Sequence, residues 1–352
     1  MQALVYHGNK DIRLEDVQEP SPVPGEVKIQ LTHTGICATD IEEWQYGPLW
    51  VQYGEPNPLS GRMAPLILGH EITGRISGLG AGVDGIRVGD RVAVNNVRTC
   101  KRCFWCRRGH QAVCPNMAIA GLSADGGLAE YMTWPADQVV PLPDNVSDEE
   151  GALVEPSTVA TRAVRRSGVQ IGDNVTVVGC GTVGLLTLQA FKAAGARVIA
   201  VDIRDQSLTA AAQLGADETL NSGTGDPGER LREMTGGVGP DIVVETAGAS
   251  NTPRQAINWT RRGGTTVLVG IYSAKPEMDF NEIVSFERTV VGSVAAGVGD
   301  MEAAVALISA GKLKVKNLIS AKVPLSRVIE DGFNRMLEPS KDVFRILVNP
   351  GQ

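Results

Sequence analysis

The hydrophobic pattern gives the chain two textures. Up to about residue 150, short runs in which apolar and polar positions alternate, such as Glu26–Thr34, Glu71–Ile76 and Arg91–Asn95, are separated by Gly and Pro. Alternation with a period of two puts every second side chain on one face of a strand, so these runs predict a mostly β region. Helical periodicity is scarce there. Between Ile41 and Pro65 lie Pro48, Pro56, Pro58 and Pro65 with Trp44, Tyr46, Trp50 and Tyr53. That stretch predicts a long ordered loop, a kind of segment that often carries function.

From about residue 151 the runs become continuously apolar. Asn174–Val178, Arg197–Val201, Asp241–Val244 and Thr265–Val269 predict buried strands, and Val183–Ala194 and Gln206–Leu214 predict helices between them. This alternation indicates a parallel sheet covered by helices. Met301–Ala310 predicts another helix and Val343–Val348 a closing strand.

A length of 352 residues fits about two domains. With 43% hydrophobic and 21% charged residues, whole-chain disorder is excluded. Against 40 Asp and Glu stand 33 Lys and Arg, a net charge of −7, which argues against nucleic acid or an anionic membrane surface as the main partner. No apolar run reaches the ~18 residues of a spanning helix. The first residues lack the basic and apolar regions of a secretory signal, so the expectation is a soluble, cytoplasmic protein. The 41 glycines exceed the usual share of about 7% and point to tight turns or close backbone approaches to a ligand.

The pattern G-x-G-x-x-G occurs three times, at Gly80–Gly85, Gly179–Gly184 and Gly223–Gly228, so context must choose. The first lies between β-like runs and opens no helix. The third follows a short polar stretch, although Glu245 falls at a tolerable distance. The second follows an apolar strand, runs directly into a helix and has Asp202 at the end of the next strand. Gly179, Gly181, Thr182, Val183 and Gly184 are therefore the candidate dinucleotide loop, whose backbone N–H groups meet a pyrophosphate at the helix N-terminus. Asp202 would accept from the adenosine ribose and repel a 2′-phosphate, favouring NAD over NADP, while Arg204 nearby can accommodate that phosphate. The competing reading is a Gly-rich turn in a sheet that binds nothing.

Cys100, Cys103, Cys106 and Cys114 put four thiols within 15 residues. One loop can then wrap a tetrahedral ion with no open position, the pattern of structural zinc. Lys101, Arg102, Arg107 and Arg108 can offset the thiolate charge. A nucleic-acid-binding zinc ribbon is the competing reading, disfavoured by the acidity of the chain. A second set is dispersed: Cys37, His70, Glu71 and Glu155. Singly, each has an ordinary explanation as a core thiol, a satisfied polar group or a cap. Together they supply S, N and O donors suited to a catalytic zinc with a position left for water or substrate.

Gly35–Asp40, Gly69-His70-Glu71, Cys100–Cys114, Glu155-Pro156 and Gly179–Gly184 occur in an order that resembles the zinc-dependent medium-chain alcohol dehydrogenases, over essentially the whole chain. Glu155, where simple alcohol dehydrogenases tend to carry Cys, resembles the polyol, threonine and butanediol branch. The loop through Gly47-Pro48 and Pro58–Gly61, with Phe286–Ser293, looks most like (R,R)-2,3-butanediol dehydrogenases. The resemblance implies an α/β architecture: a GroES-like, mostly β catalytic domain from residues 1–152 and 292–352, and a Rossmann doubly wound parallel sheet from residues 153–291. It implies two zinc ions per chain. Cys37, His70 and Glu155 are then the catalytic ligands, Glu71 an alternating or supporting one, and Cys100, Cys103, Cys106 and Cys114 the structural set. Asp40 would orient His70, and Thr39 would pass the alcohol proton outward. Relatives commonly place a relay His five residues after the Cys; here that position is Glu42. His7, His33 and His110 match no ligand position.

The implied reaction is reversible, NAD-linked oxidation of a secondary alcohol, such as a vicinal diol, to a ketone. The alternatives are threonine or sugar-polyol oxidation, or a non-catalytic dinucleotide-binding redox sensor. Relatives of this kind form dimers or tetramers, so a homo-oligomer is expected.

Overall fold

The computed structural model describes residues 1–272, 274–338 and 343–351. The chain forms two compact units, Met1–Glu155 with Ala296–Ser309 and Val315–Gln352, and Pro156–Ala295 with Ala310–Lys314. The first segment contains β1 (Gln2–Gly8), β2 (Asp11–Asp16), β3 (Glu26–Ile36), α1 (Ala38–Tyr46), β4 (Leu66–Ile67) and β5 (Glu71–Leu79). It continues with β6 (Arg91–Val94), β7 (Val97–Arg98), β8 (Ala118–Ile119), β9 (Tyr131–Pro135), β10 (Val139–Pro141) and α2 (Asp148–Gly151). Then come α3 (Val154–Ser167), β11 (Asn174–Val178), α4 (Thr182–Ala193), β12 (Arg197–Asp202), α5 (Asp205–Gln213) and β13 (Glu218–Asn221). After these follow α6 (Gly228–Met234), β14 (Ile242–Glu245), α7 (Thr252–Trp259), β15 (Thr265–Leu268), α8 (Asn281–Val284) and β16 (Thr289–Gly292). The last elements are α9 (Asp300–Ser309), β17 (Ile319–Pro324), α10 (Asn334–Leu337) and β18 (Arg345–Asn349).

In the first unit β3 is the spine. The main sheet runs β10-β6-β5-β3-β18-β17, with β9 also paired to β3, and β2-β1-β4 form a second sheet. Val27, Ile29 and Leu31 alternate with Lys28 and Gln30, so the apolar set faces a core of Ile72, Ile76, Val92, Val94, Met132 and Trp134. At its end Thr34, Gly35 and Ile36 are all buried. Ile36 enters a second core with Leu68, Leu128, Phe333, Ile346 and Val348. The antiparallel register sets Gly35 opposite Glu71 on one side and Leu347 on the other. Residues 35–37, 70–71 and 345 therefore converge at one end of the sheet.

The loop expected over Ile41–Pro65 begins as a helix. Cys37 caps α1, and the Asp40 carboxylate accepts the Cys37 N–H at 2.9 Å. Ile41 is buried, and Trp44, three residues on, packs edge-to-face on Phe333 at 5.7 Å. The prolines and aromatics that follow hide this short i, i+3 signal. The buried Glu43 then ties down the loop after the helix by accepting the backbone N–H groups of Leu49 at 3.0 Å, Trp50 and Val51 at 2.9 Å.

The second unit is a six-stranded parallel sheet in the order β13-β12-β11-β14-β15-β16. Val175, Val177, Val178 and Val198–Val201 are buried, as strands covered on both faces require. The order reverses between β11 and β14, so the carboxyl ends of those strands form a topological switch point. No helix among the described residues is long and apolar enough to cross a membrane.

Candidate active site

Cys37 occupies the joint between β3 and α1, and its thiol lies 3.8 Å from Thr39 Oγ1. His70 immediately precedes β5, and the buried Asp40 carboxylate stands 3.5 Å from its Nδ1. Glu71 opens β5 opposite Gly35. A Cβ at residue 35 would lie 2.2 Å from Glu71 Oε2, so only glycine leaves room for the carboxylate. Arg345 opens β18 and is buried; its Nη2 is 3.1 Å from Glu71 Oε1, and its Nη1 donates to the Ile36 carbonyl at 2.5 Å. One ligand atom from each of Cys37, His70 and Glu71 lies within 4.8 Å of the other two. Glu155, in the first turn of α3, is outside that set and accepts from Asn96 Nδ2 at 3.0 Å.

The electrostatics are those of a crowded, dry donor set. Burial pushes the Glu71 carboxyl up to about 8, against the pull of Arg345. Burial likewise raises Glu155 to about 7. It also drives the Cys37 thiol up, but His70 and Arg345 overcome that and bring it down to about 7. His70 is held well above its ordinary value because Asp40 and Cys37 outweigh its desolvation. Both Glu71 oxygens, Asp40 Oδ1 and His70 Nδ1 are buried without a well-directed hydrogen bond. Such polar atoms are rare in a folded core, and S, N and O donors of this kind suit a divalent ion of zinc type.

The four remaining clustered thiols are local in sequence. All of their Sγ atoms lie within 4.8 Å of one another, with Cys100 and Cys106 at 4.0 Å. Tetrahedral zinc with Zn–S near 2.3 Å needs S–S separations of about 3.8 Å. Backbone N–H donors bring Cys100 down to about 6, while desolvation and its neighbours send Cys106 up to about 12. Part of the basic rim is engaged elsewhere: Lys101 pairs with Asp137, and Arg108 lies 3.7 Å over the Phe104 ring.

In the second unit the Gly179–Gly184 turn joins β11 to α4 at the switch point. A Cβ on Gly184 would sit 1.8 Å from the Gly179 carbonyl, so this glycine permits the close turn. Asp202 ends β12. Its Oδ2 accepts the Cys180 N–H at 2.6 Å and its Oδ1 the Arg204 N–H at 2.9 Å, with Arg204 Nε at 3.5 Å. Gly80–Gly85 follows β5 without opening a helix, and Gly223–Gly228 joins β13 to the short α6. Glu245, spaced to serve that third loop, is instead saturated by the N–H groups of Ala247 and Gly248 and the hydroxyls of Thr252 and Tyr272.

Residues 23–144 match the alcohol dehydrogenase GroES-like domain, and residues 182–310 match the zinc-binding dehydrogenase family. The chain is 38% identical to the (R,R)-butanediol dehydrogenase of Bacillus subtilis, over 99% of this chain and 100% of that protein. The chain belongs to the zinc-binding alcohol dehydrogenase family. It is also 32% identical to the sorbitol dehydrogenase of Homo sapiens, over 93% of this chain and 90% of that one. The crystal structure of 2R,3R-butanediol dehydrogenase from Bacillus subtilis matches with a TM-score of 0.92 and 36% identity, covering 99% of each chain. Members of the family are dehydrogenases acting on CH–OH groups, the fold is GroES-like plus Rossmann, and the four-cysteine cluster fits the family's structural zinc.

Among the residues singled out from sequence, Cys37, His70 and Glu71 come together, with Glu155 beside them, and Thr39 adjoins Cys37. Glu42 is exposed on α1, with its carboxyl raised by partial desolvation and by Glu43. Thr182 and Val183 lie in the first turn of α4, and Arg204 precedes α5. Trp50 and Tyr53 are exposed, whereas Trp44 packs inward. His7 pairs with Glu15 at 2.7 Å, burial lowers the His33 pKa, and His110 is exposed. Sequence reasoning missed Arg345 and Asn96. A lone charge inside the apolar run Val343–Val348 is the one signal that Arg345 left.

Proposed function

We propose that the chain oxidises a vicinal diol of the 2,3-butanediol type to the hydroxyketone with NAD as acceptor. The observation that carries this reading is the buried S, N and O donor set of Cys37, His70 and Glu71, flanked by Glu155. Cys37, His70 and Glu155 would hold the zinc, and Glu71 would be the alternating ligand. When bound, zinc supplies a Lewis acid that lowers the pKa of a substrate hydroxyl. NAD supplies the hydride acceptor. Asp40 fixes the imidazole orientation from the Nδ1 side, the support that metal-bound histidines require. Thr39, beside the thiol, takes the hydroxyl proton, and Glu42, three residues on along the same helix, passes it to solvent. The backbone of Gly179–Gly184 cradles the pyrophosphate. Asp202 keeps accepting capacity after its bonds from the Cys180 N–H and from the N–H and Nε of Arg204, and accepts from the ribose. The likeness to butanediol dehydrogenases supports the diol, and the likeness to sorbitol dehydrogenase supports a longer polyol as the second reading.

The test is cofactor reduction with NAD and with NADP across stereoisomers of 2,3-butanediol, sorbitol, xylitol, 2-butanol and threonine. The highest kcat/KM is expected on a 2,3-butanediol isomer with NAD. A maximum on sorbitol, xylitol or threonine overturns the substrate, and preference for NADP overturns the cofactor. Cofactor binding without turnover on any alcohol supports the sensor reading.

A further inference from the structure

The second unit holds a concavity that the dehydrogenase chemistry does not use. Arg232 near the end of α6, Arg261 and Arg262 in the α7–β15 turn, and Phe286 and Arg288 before β16 line a hollow of about 390 Å³. These segments precede the amino ends of β15 and β16, whereas the Gly179–Gly184 loop follows the carboxyl end of β11 in the same parallel sheet. Strands of four or five residues, at ~3.3 Å per residue, hold the two places apart by about 15 Å.

The charge balance is one-sided. Among the described residues, no acidic one lines the hollow. Asp241 is engaged by Arg261 Nε at 2.7 Å, Glu282 by Arg288 Nη1 at 3.0 Å, and Glu233, next to Arg232, by Arg230 at 2.7 Å. Arg288 is locked further by the carbonyls of Thr260 at 2.8 Å and Asn258 at 3.2 Å, and its side chain is 8% exposed. It serves as scaffold: its guanidinium lies 4.9 Å from the Phe286 ring, and Arg262 lies 4.7 Å from the same ring. A guanidinium stacked on a ring keeps its in-plane N–H donors free for an anion and has already lost much of its rotamer freedom. Arg232 and Arg262 are exposed and make no ion pair among the described residues. The N–H donors on Arg261 Nη2 are likewise unused. An acidic chain of net charge −7 thus sets an uncompensated, partly rigid cationic hollow into one end of its sheet.

We propose that this hollow binds a small phosphomonoester. The phosphate takes charge-assisted, bidentate bonds from Arg232 and Arg262 with help from Arg261, and the organic part lies against the exposed Val238 on the rim. The volume suits a small phosphorylated metabolite, within the range of about 300–1,000 Å³ for ligand sites. The site is separate from the cofactor loop, so its occupancy does not depend on the assignment of NAD.

The test is calorimetric titration of the full chain with inorganic phosphate and with glycerol 3-phosphate, at constant ionic strength set by chloride. Saturable binding of about one equivalent per chain is expected, tighter for glycerol 3-phosphate, and weakened at least tenfold in Arg232→Gln/Arg262→Gln. Melting curves without phosphate check that this variant folds. Val238→Glu, which removes no polar contact and adds a rim carboxylate, must weaken binding as well. Equal affinity for the two probes means that free phosphate alone is recognised and overturns the metabolite assignment. Absence of saturation, or binding that survives both variants, overturns the site.

Discussion

Replacing Gly35 with alanine adds one methyl to a buried strand and alters none of the expected metal ligands. The new Cβ would lie 2.2 Å from Glu71 Oε2, and real Cβ contacts under 3.0 Å essentially do not occur. The carboxylate must therefore move by at least about 0.8 Å, the difference between those distances. Glu71 is fully buried and cannot swing to water; movement strains or breaks its 3.1 Å pair with Arg345. Overpacking costs about 1–3 kcal/mol and a fully broken buried pair about 3–5 kcal/mol, while alanine in a strand regains about 0.5–1 kcal/mol over glycine. The net expectation is a loss of about 2–4 kcal/mol. Guanidinium unfolding of metal-stripped protein, followed by tryptophan fluorescence, measures it. Trp44, Trp50, Trp105 and Trp134 all lie in the first unit and report on it. The decisive comparison is the same substitution in a Glu71→Ala background, where the 2.2 Å contact with the carboxylate is gone and only the 3.1 Å approach to the residue-71 Cβ remains. There the residual contact and the gain of alanine over glycine oppose one another, and Gly35→Ala should cost at least about 1 kcal/mol less than in the wild type, a coupling typical of residues in contact. A loss of equal size in both backgrounds, or none in either, refutes the geometry assigned to Glu71.

Other outcomes follow from the same structure. Cys103→Ser should remove one zinc equivalent by elemental analysis and lower the unfolding transition by several degrees; unchanged zinc content contradicts the four-thiolate site. Cys37 and Glu155 titrate near 7 and Glu71 near 8 in the metal-free cluster, and zinc needs these groups deprotonated. Zinc affinity of stripped protein should therefore fall as pH drops from about 8 to about 6, with protons released on binding; affinity that is flat or rises toward acid contradicts the assignment. Glu42→Gln should reduce kcat at neutral pH by about tenfold or more with KM little changed, and concentrated buffer should restore part of it. An unaltered kcat makes Glu42 a solvated surface residue.

What the sequence revealed and what it hid divide by range along the chain. The four-cysteine loop and the Gly179–Gly184 turn are contiguous, so spacing alone carried their geometry, and flanking strand and helix patterns rejected the two other glycine matches. The four inner strands of the parallel sheet, β11, β12, β14 and β15, were legible because they are apolar runs, whereas the half-exposed edge strands β13 and β16 carry no such run. The dispersed donors were legible only as a set, since Cys37, His70 and Glu71 meet through the β3–β5 register rather than through proximity in sequence. Arg345 lay beyond reach: it contacts Ile36 across 309 positions, and nothing local distinguishes it from an edge charge. Helix α1 was obscured because one short amphipathic turn, fixed by Asp40 and Trp44, is followed at once by proline-rich loop. Asn96 acts through Glu155 and Glu43 through three backbone N–H groups, partners that only the folded chain identifies.

In the proposed reaction the Cys37 centre turns over a vicinal diol. The most direct measurement scores zinc per chain against NADH formation from 2,3-butanediol in wild type and Cys37→Ser, with NAD binding followed in the same samples. Two zinc ions per chain and turnover are expected in the wild type. One zinc, intact NAD binding and turnover at background are expected in the variant. A Cys37→Ser protein that keeps both its zinc and its diol turnover contradicts the assignment of Cys37 as a zinc ligand.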